Sequence, residues 1–161
     1  MQTIDLICIG KLNASYYAAG VADYQKRMSA FCNFHIIELP EVTIADKHAS
    51  QSQIDKALQK EGDAILASVR KGAYLVALCV EGKTFSSEEL ARCIADRAMS
   101  GAGDMAFVIG SSHGLDDRVK RAAQLKLSMG RMTLPHQLAR LVLTEQLYRA
   151  CTINAGMKYH K

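Results

Sequence analysis

The stretch MAFVIGSSHGLDDRVKRAAQLKLSMGRMTLPHQLARLVLTEQLYRA, residues 105–150, carries the architecture in miniature. Met105–Ile109 is an uncharged apolar run, the composition of a strand covered on both faces. The run breaks at Gly110-Ser111-Ser112-His113-Gly114, and Leu115–Ala123 reads as a short basic helix. Leu125–Met129 is another strand, after which Gly130 opens a loop that leads to Pro135. Proline suits a first helical turn because it has no N–H to lose. The last helix runs from there to about Cys151 with an apolar stripe of Leu138, Leu141, Val142 and Leu147. Strand and helix in alternation imply parallel strands joined by crossovers.

The same alternation fills the residues before this stretch. Ile4–Ile9 mixes β-branched and apolar residues and stops at Gly10, and with no basic head and Asp5 interrupting the apolar run MQTIDLICIG reads as a first strand and not as a leader. A helix is expected over Ser15–Ala30, a strand over Phe34–Leu39 closed by Pro40, and a polar, mobile loop over Glu41–Ser50. Ile54, Ala57, Leu58, Ile65, Leu66 and Val69 recur at helical spacing, which predicts a helix over residues 51–70. Tyr74–Val80 is a third strand, Glu81-Gly82-Lys83 a turn, and Ser86 with Glu89 a capping box opening a helix to about Met99. The whole is an α/β chain of 161 residues, expected to be one domain. Its longest uncharged apolar stretch, Gly72–Val80, is far below the roughly 20 residues of a membrane span.

Composition narrows the chemistry. Cys8, Cys32, Cys79, Cys93 and Cys151 lie far apart with no C-x-x-C and no histidine at ligand spacing. Zinc and a disulfide framework are therefore not expected, and the thiols read as small core residues in a reducing compartment. The net charge of +4 is uneven: residues 1–117 carry 11 Lys/Arg against 15 Asp/Glu, whereas residues 118–161 carry nine against Glu145 alone. A clustered basic field attracts a polyanion.

In a parallel α/β sheet, ligands gather at the carboxyl ends of strands. Three such ends stand out: Leu78–Lys83, Ile109–Gly114 and Met129–His136. Gly110 and Gly114 have G-x-x-x-G spacing, which is neither a dinucleotide fingerprint nor a lysine-ended phosphate loop, so dehydrogenase and kinase readings lose support. The third end offers backbone polar groups framed by Met132, Leu134 and Pro135, a surface suited to a flat heterocycle or simply to the core.

GRMTLPHQLARLVLTEQLYRA followed by NAGMKYHK resembles the ribosomal RNA large subunit methyltransferase H family of the SPOUT superfamily. The likeness spans essentially the whole chain, including the EGK and IG-x-x-x-GL loops. It implies a knotted, Rossmann-like parallel sheet with a C-terminal trefoil knot, a cytoplasmic homodimer, S-adenosylmethionine as cofactor and no metal. The implied reaction is methylation at N3 of a pseudouridine in helix 69 of 23S rRNA within the 70S ribosome. By motif, the implied cofactor contacts are Leu78, Gly110, Met129, Gly130, Arg131, Met132, Thr133 and Leu134. N3 of a uracil-type ring is protonated and poorly nucleophilic, so a base or an anion-stabilising cation is needed. The expected catalytic residues are His160 as base or positioner, Tyr159 stacking on or bonding to the target ring, and Arg149, oriented by Glu145 four residues earlier. Lys161 would hold a neighbouring phosphate, and His136 reads as structural or cofactor-adjacent. The chain departs from the family pattern in two places: Ser111 follows Gly110 where two glycines are common, with His113 just before Gly114, and Lys158 precedes Tyr159 where proline is common. The alternatives are a non-catalytic ribosome-binding dimer of the same fold and a flavodoxin-like mononucleotide binder.

Overall fold

In the first strand Ile4, Leu6 and Cys8 point to one face of the sheet and Ile7 and Ile9 to the other, and all five are buried. That double burial is why the strand shows no polar alternation. The structure is a computed structural model describing residues 1–45 and 47–161; Asp46, within the loop expected over Glu41–Ser50, lies outside the described residues. The elements are β1 (Thr3–Ile9), α1 (Ser15–Met28), β2 (Asn33–Leu39), α2 (Gln51–Ser68), β3 (Tyr74–Thr84), α3 (Ser87–Met99), β4 (Met105–Ile109), α4 (Asp117–Ala122), β5 (Leu125–Ser128) and α5 (His136–Asn154).

The strands form one parallel sheet in the order β2-β1-β4-β3-β5. Helices α1, α3 and α5 cover one face, where Met28, Leu90, Ile94, Leu143, Leu147 and Tyr148 meet Leu6, Val76 and Phe107. Helices α2 and α4 cover the other, where Ile65 and Val119 meet Ile7, Leu75 and Val108. Each large side chain buried this way stabilises the fold by about 1.5–3 kcal/mol.

Local chemistry sets the helix starts. Ser86 Oγ accepts from Glu89 N at 3.1 Å while Glu89 Oε2 accepts from Ser86 N at 2.7 Å, the expected capping box. Ser50 and Gln53 form a second one at the head of α2. Pro135 stands one residue before α5, as its N-cap.

Two expectations are corrected. Glu81-Gly82-Lys83 is not a turn but part of β3, which bulges so that Leu78 and Lys83 both pair with Leu127 of β5. Gly82 makes this possible, because a Cβ there would lie 2.7 Å from the backbone of Lys126 and Leu127. The buried face of α5 also differs from the expected stripe. Arg140, Leu143, Thr144, Leu147, Tyr148 and Cys151 are buried, whereas Leu138, Leu141 and Val142 are half-exposed. Arg140 survives burial by donating to Glu38 Oε2 at 2.6 Å and to the Gly10 carbonyl at 2.9 Å.

Candidate active site

The β3 bulge pushes Cys79, Val80 and Glu81 outward at the carboxyl end of the sheet, beside the ends of β4 and β5. Together they enclose a cavity of about 230 Å³. Leu78, Ile109, Leu115, Leu127, Met129 and Leu134 give it apolar walls, and His136 and Ala139 of the first turn of α5 close one side. Gly110 is required for closure, since a Cβ there would collide with the carbonyl of Gly114. Gly130 stands at φ +127°, a conformation that strains any L side chain.

Charge in this cavity is nearly cancelled. Lys120, the one lysine or arginine among its lining residues, donates to Glu81 Oε1 at 2.8 Å. That bond holds the Glu81 carboxyl below its usual range and the Lys120 ammonium above its own. The nearby start of α4 offers no anion site, because Asp116 caps it by accepting from Arg118 N and Asp117 adds a second negative charge. The cavity therefore offers apolar walls and no unpaired lysine or arginine. A second cavity shares Leu127, Ser128, Met129 and Gly130 with the first and reaches Phe85, Ser86 and Gln146.

The other candidates form a separate cluster at the far end of α5. Arg149 donates to Glu145 Oε1 through Nε at 3.0 Å and Nη2 at 2.6 Å, and its guanidinium lies 4.8 Å from the centre of the Tyr159 ring. Tyr159 donates to the same Glu145 oxygen at 3.0 Å and packs edge-on against Tyr148. Burial first, then hydrogen bonds with Tyr24 and Glu145, push the Tyr159 phenol well above its usual range, so it keeps its proton. His160 is held on both sides, with Nδ1 3.3 Å from Arg149 Nη1 and Nε2 2.8 Å from Glu88 Oε1. Arginine can only donate, so Nδ1 accepts and, in the neutral ring, Nε2 carries the proton.

Of the expected cofactor residues, Leu78, Gly110, Met129, Gly130, Met132 and Leu134 line one cavity, while Arg131 and Thr133 are exposed outside its lining. Arg149, Tyr159 and His160 meet each other but not that cavity. His136 and Arg149 lie thirteen residues apart on α5, about 20 Å along its axis. Sequence reasoning missed Cys79, Glu81, Lys120, Ser128 and Ala139, although the carboxyl-end rule pointed at the segment containing the first two.

The basic C-terminal balance is also partly consumed within the protein. Arg118 pairs with Asp63 and Asp116, Lys120 with Glu81, Arg140 with Glu38 and Arg149 with Glu145. Arg121, Lys126, Arg131, Lys158 and Lys161 are exposed and make no ion pair among the described residues. No group of residues suited to a metal ion occurs among them either. No helix among them is long and apolar enough to cross a membrane.

A family model described as "Predicted SPOUT methyltransferase" matches residues 1–160. The protein named Ribosomal RNA large subunit methyltransferase H of Streptococcus uberis is 46% identical over 158 residues, covering 98% of this chain and 99% of that one. Its namesake from Ligilactobacillus salivarius is 46% identical over 160 residues, covering 99% and 100%. That of Streptococcus pneumoniae is 45% identical over 158 residues, covering 98% and 99%.

Proposed function

The chain belongs to the SPOUT methyltransferase family, and on that premise we propose that it is a ribosomal RNA large subunit methyltransferase. In this reading it acts as a cytoplasmic homodimer and transfers the methyl group of S-adenosylmethionine to N3 of a pseudouridine in 23S rRNA of the assembled 70S ribosome. Full-length likeness to the relatives of that name supports the reaction class. The carrying observation is the cavity at the carboxyl end of the sheet, with apolar walls and self-cancelled charge. The knotted threading of the C-terminal part belongs to the same proposal.

Leu78, Gly110, Met129, Gly130, Met132 and Leu134 would hold the cofactor, with Arg131 and Thr133 offering backbone groups at the rim. When bound, S-adenosylmethionine supplies a methyl group on a sulfonium. The chain's own residues must align the acceptor and deal with its imide proton. His160 presents an unprotonated Nδ1 and serves as the proton acceptor once it leaves Arg149. Arg149, locked by Glu145, keeps its charge and faces the negative charge that develops on the ring. Tyr159 keeps its proton and positions the ring by stacking and donation.

Within one chain Arg149, Tyr159 and His160 lie outside the cavity lining, toward the opposite end of α5 from His136, which supports a site completed by the tail of a second copy. Leu138, Leu141 and Val142, half-exposed on α5, give that copy an apolar face to cover. The test is to incubate the protein with labelled S-adenosylmethionine and undermodified ribosomes and map the labelled nucleotide. Label at N3 of a 23S pseudouridine is expected. Salt-sensitive ribosome binding without transfer would favour the non-catalytic reading instead.

A further inference from the structure

Glu61 lies in the middle of α2, a helix that contributes no residue to the cavity lining. It is 4% exposed, and no lysine, arginine or histidine pairs with it among the described residues. Its two oxygens reach different segments: Oε1 accepts from Ser111 Oγ at 2.9 Å, and Oε2 accepts from Val42 N at 3.1 Å. A carboxylate withdrawn from water with only neutral donors is an expensive thing to bury, and here its return is the joining of two loops.

Ser111 belongs to the cavity wall, in the turn closed by the bond from Gly114 N to Ser111 O at 2.9 Å. The contact continues on both sides of Glu61. A Cβ on Gly62 would collide with the Asp116 side chain, and Arg118 donates to the Gln59 carbonyl and pairs with Asp63, both at 2.9 Å. Residues 59–63 thus grip segment 111–118 along its length, while the same Glu61 secures the chain just after β2.

We propose that Glu61 is a positioning residue that acts through Ser111 to set the 110–114 loop for cofactor binding, and through Val42 couples the 41–45 segment to that loop. The role in cofactor binding rests on the reading of the cavity as an S-adenosylmethionine site; the coupling does not.

Two measurements on the full chain test it. Hydrogen exchange of the ligand-free protein should show Ser111→Ala speeding exchange at residues 110–114 and also at Val42, which Ser111 does not touch. Calorimetry with S-adenosylmethionine should show Ser111→Ala and Glu61→Gln each weakening binding by about threefold to tenfold, the effect of one hydrogen bond of ordinary strength. Ser111→Thr, which keeps the hydroxyl, should restore both signals, and Ser111→Ala should lose nothing further when Glu61→Gln is added. Unchanged Val42 exchange in Ser111→Ala, unchanged affinity, or failure of Ser111→Thr to rescue would overturn the assignment. If the wild-type protein takes up no S-adenosylmethionine, the functional reading falls, and the exchange measurement alone decides the coupling.

Discussion

The imidazole of His160 lies 2.8 Å from Glu88 through Nε2, so the penultimate residue of the chain is anchored to the first turn of α3. Nδ1 of the same ring faces Arg149. The tail is therefore docked on its own chain, and its use on an RNA base requires it to leave this position.

The bond from His160 holds the Glu88 carboxyl below its usual range. A lowered folded-state pKa means that the interaction is complete above the ordinary carboxylate pKa and disappears as pH falls through the lowered value. Exchange at residues 159–161, corrected for intrinsic rates, is thus expected to be slow at neutral pH and to rise in acid. Glu88→Gln should show the faster exchange already at neutral pH. Equal tail exchange in the two proteins would contradict the docking.

Gly130→Val places a β-branched residue at φ +127°. The expected result is a stability loss of about 1–2 kcal/mol in urea titration. Calorimetry should show a loss of S-adenosylmethionine affinity larger than that of any single side chain in the wall.

Arg121, Lys126 and Arg131, like Lys158 and Lys161, make no ion pair among the described residues and are among the cations available to phosphate. Replacing each by Gln should weaken ribosome binding and lower the salt slope by about 0.7–0.9 for every phosphate that is no longer neutralised. Arg118→Gln should leave the slope alone and instead lower the melting temperature, because Arg118 is already engaged with Asp63, Asp116 and Gln59.

A chain carrying His160→Ala mixed with a chain carrying Gly130→Val tests whether tails serve the partner's cavity. Each chain alone should be nearly inactive. After random exchange of subunits the mixture should recover about a quarter of wild-type methylation, because half the dimers are mixed and each has one complete site. No recovery would mean that each tail serves its own chain.

Features that depend on neighbours in sequence were the legible ones. The capping box of α3 and the strand Met105–Ile109 were found because each signal lies within a few residues. The extension of β3 through Thr84 was not, because Glu81-Gly82-Lys83 has local turn chemistry and becomes strand only against the backbone of β5. The inner face of α5 is hidden from apolar periodicity for a related reason. Arg140 and Thr144 are polar yet buried, their bonds running to Glu38, Gly10 and the helix's own carbonyl, so apolar periodicity passed over them and picked Leu138, Leu141 and Val142. In the site, six of the eight expected cofactor residues share a cavity. The pairing of Arg118, Lys120 and Arg140 is invisible in sequence, because Asp63, Glu81 and Glu38 lie in other elements, whereas the Glu145–Arg149 pair, four residues apart on one helix, is legible.

The outward bulge of β3 leaves one thiol in the cavity wall, at Cys79. Cys8, Cys32 and Cys151 are buried, with the Cys8 thiol pushed up to about 12 by that burial, and Cys93 sits on α3 outside the cavity lining. A thiol-directed label thus meets a molecule with an intrinsic occupancy gauge: whatever fills the cavity shields Cys79 and leaves Cys93 as the internal control. Occupation can then be followed without any turnover taking place.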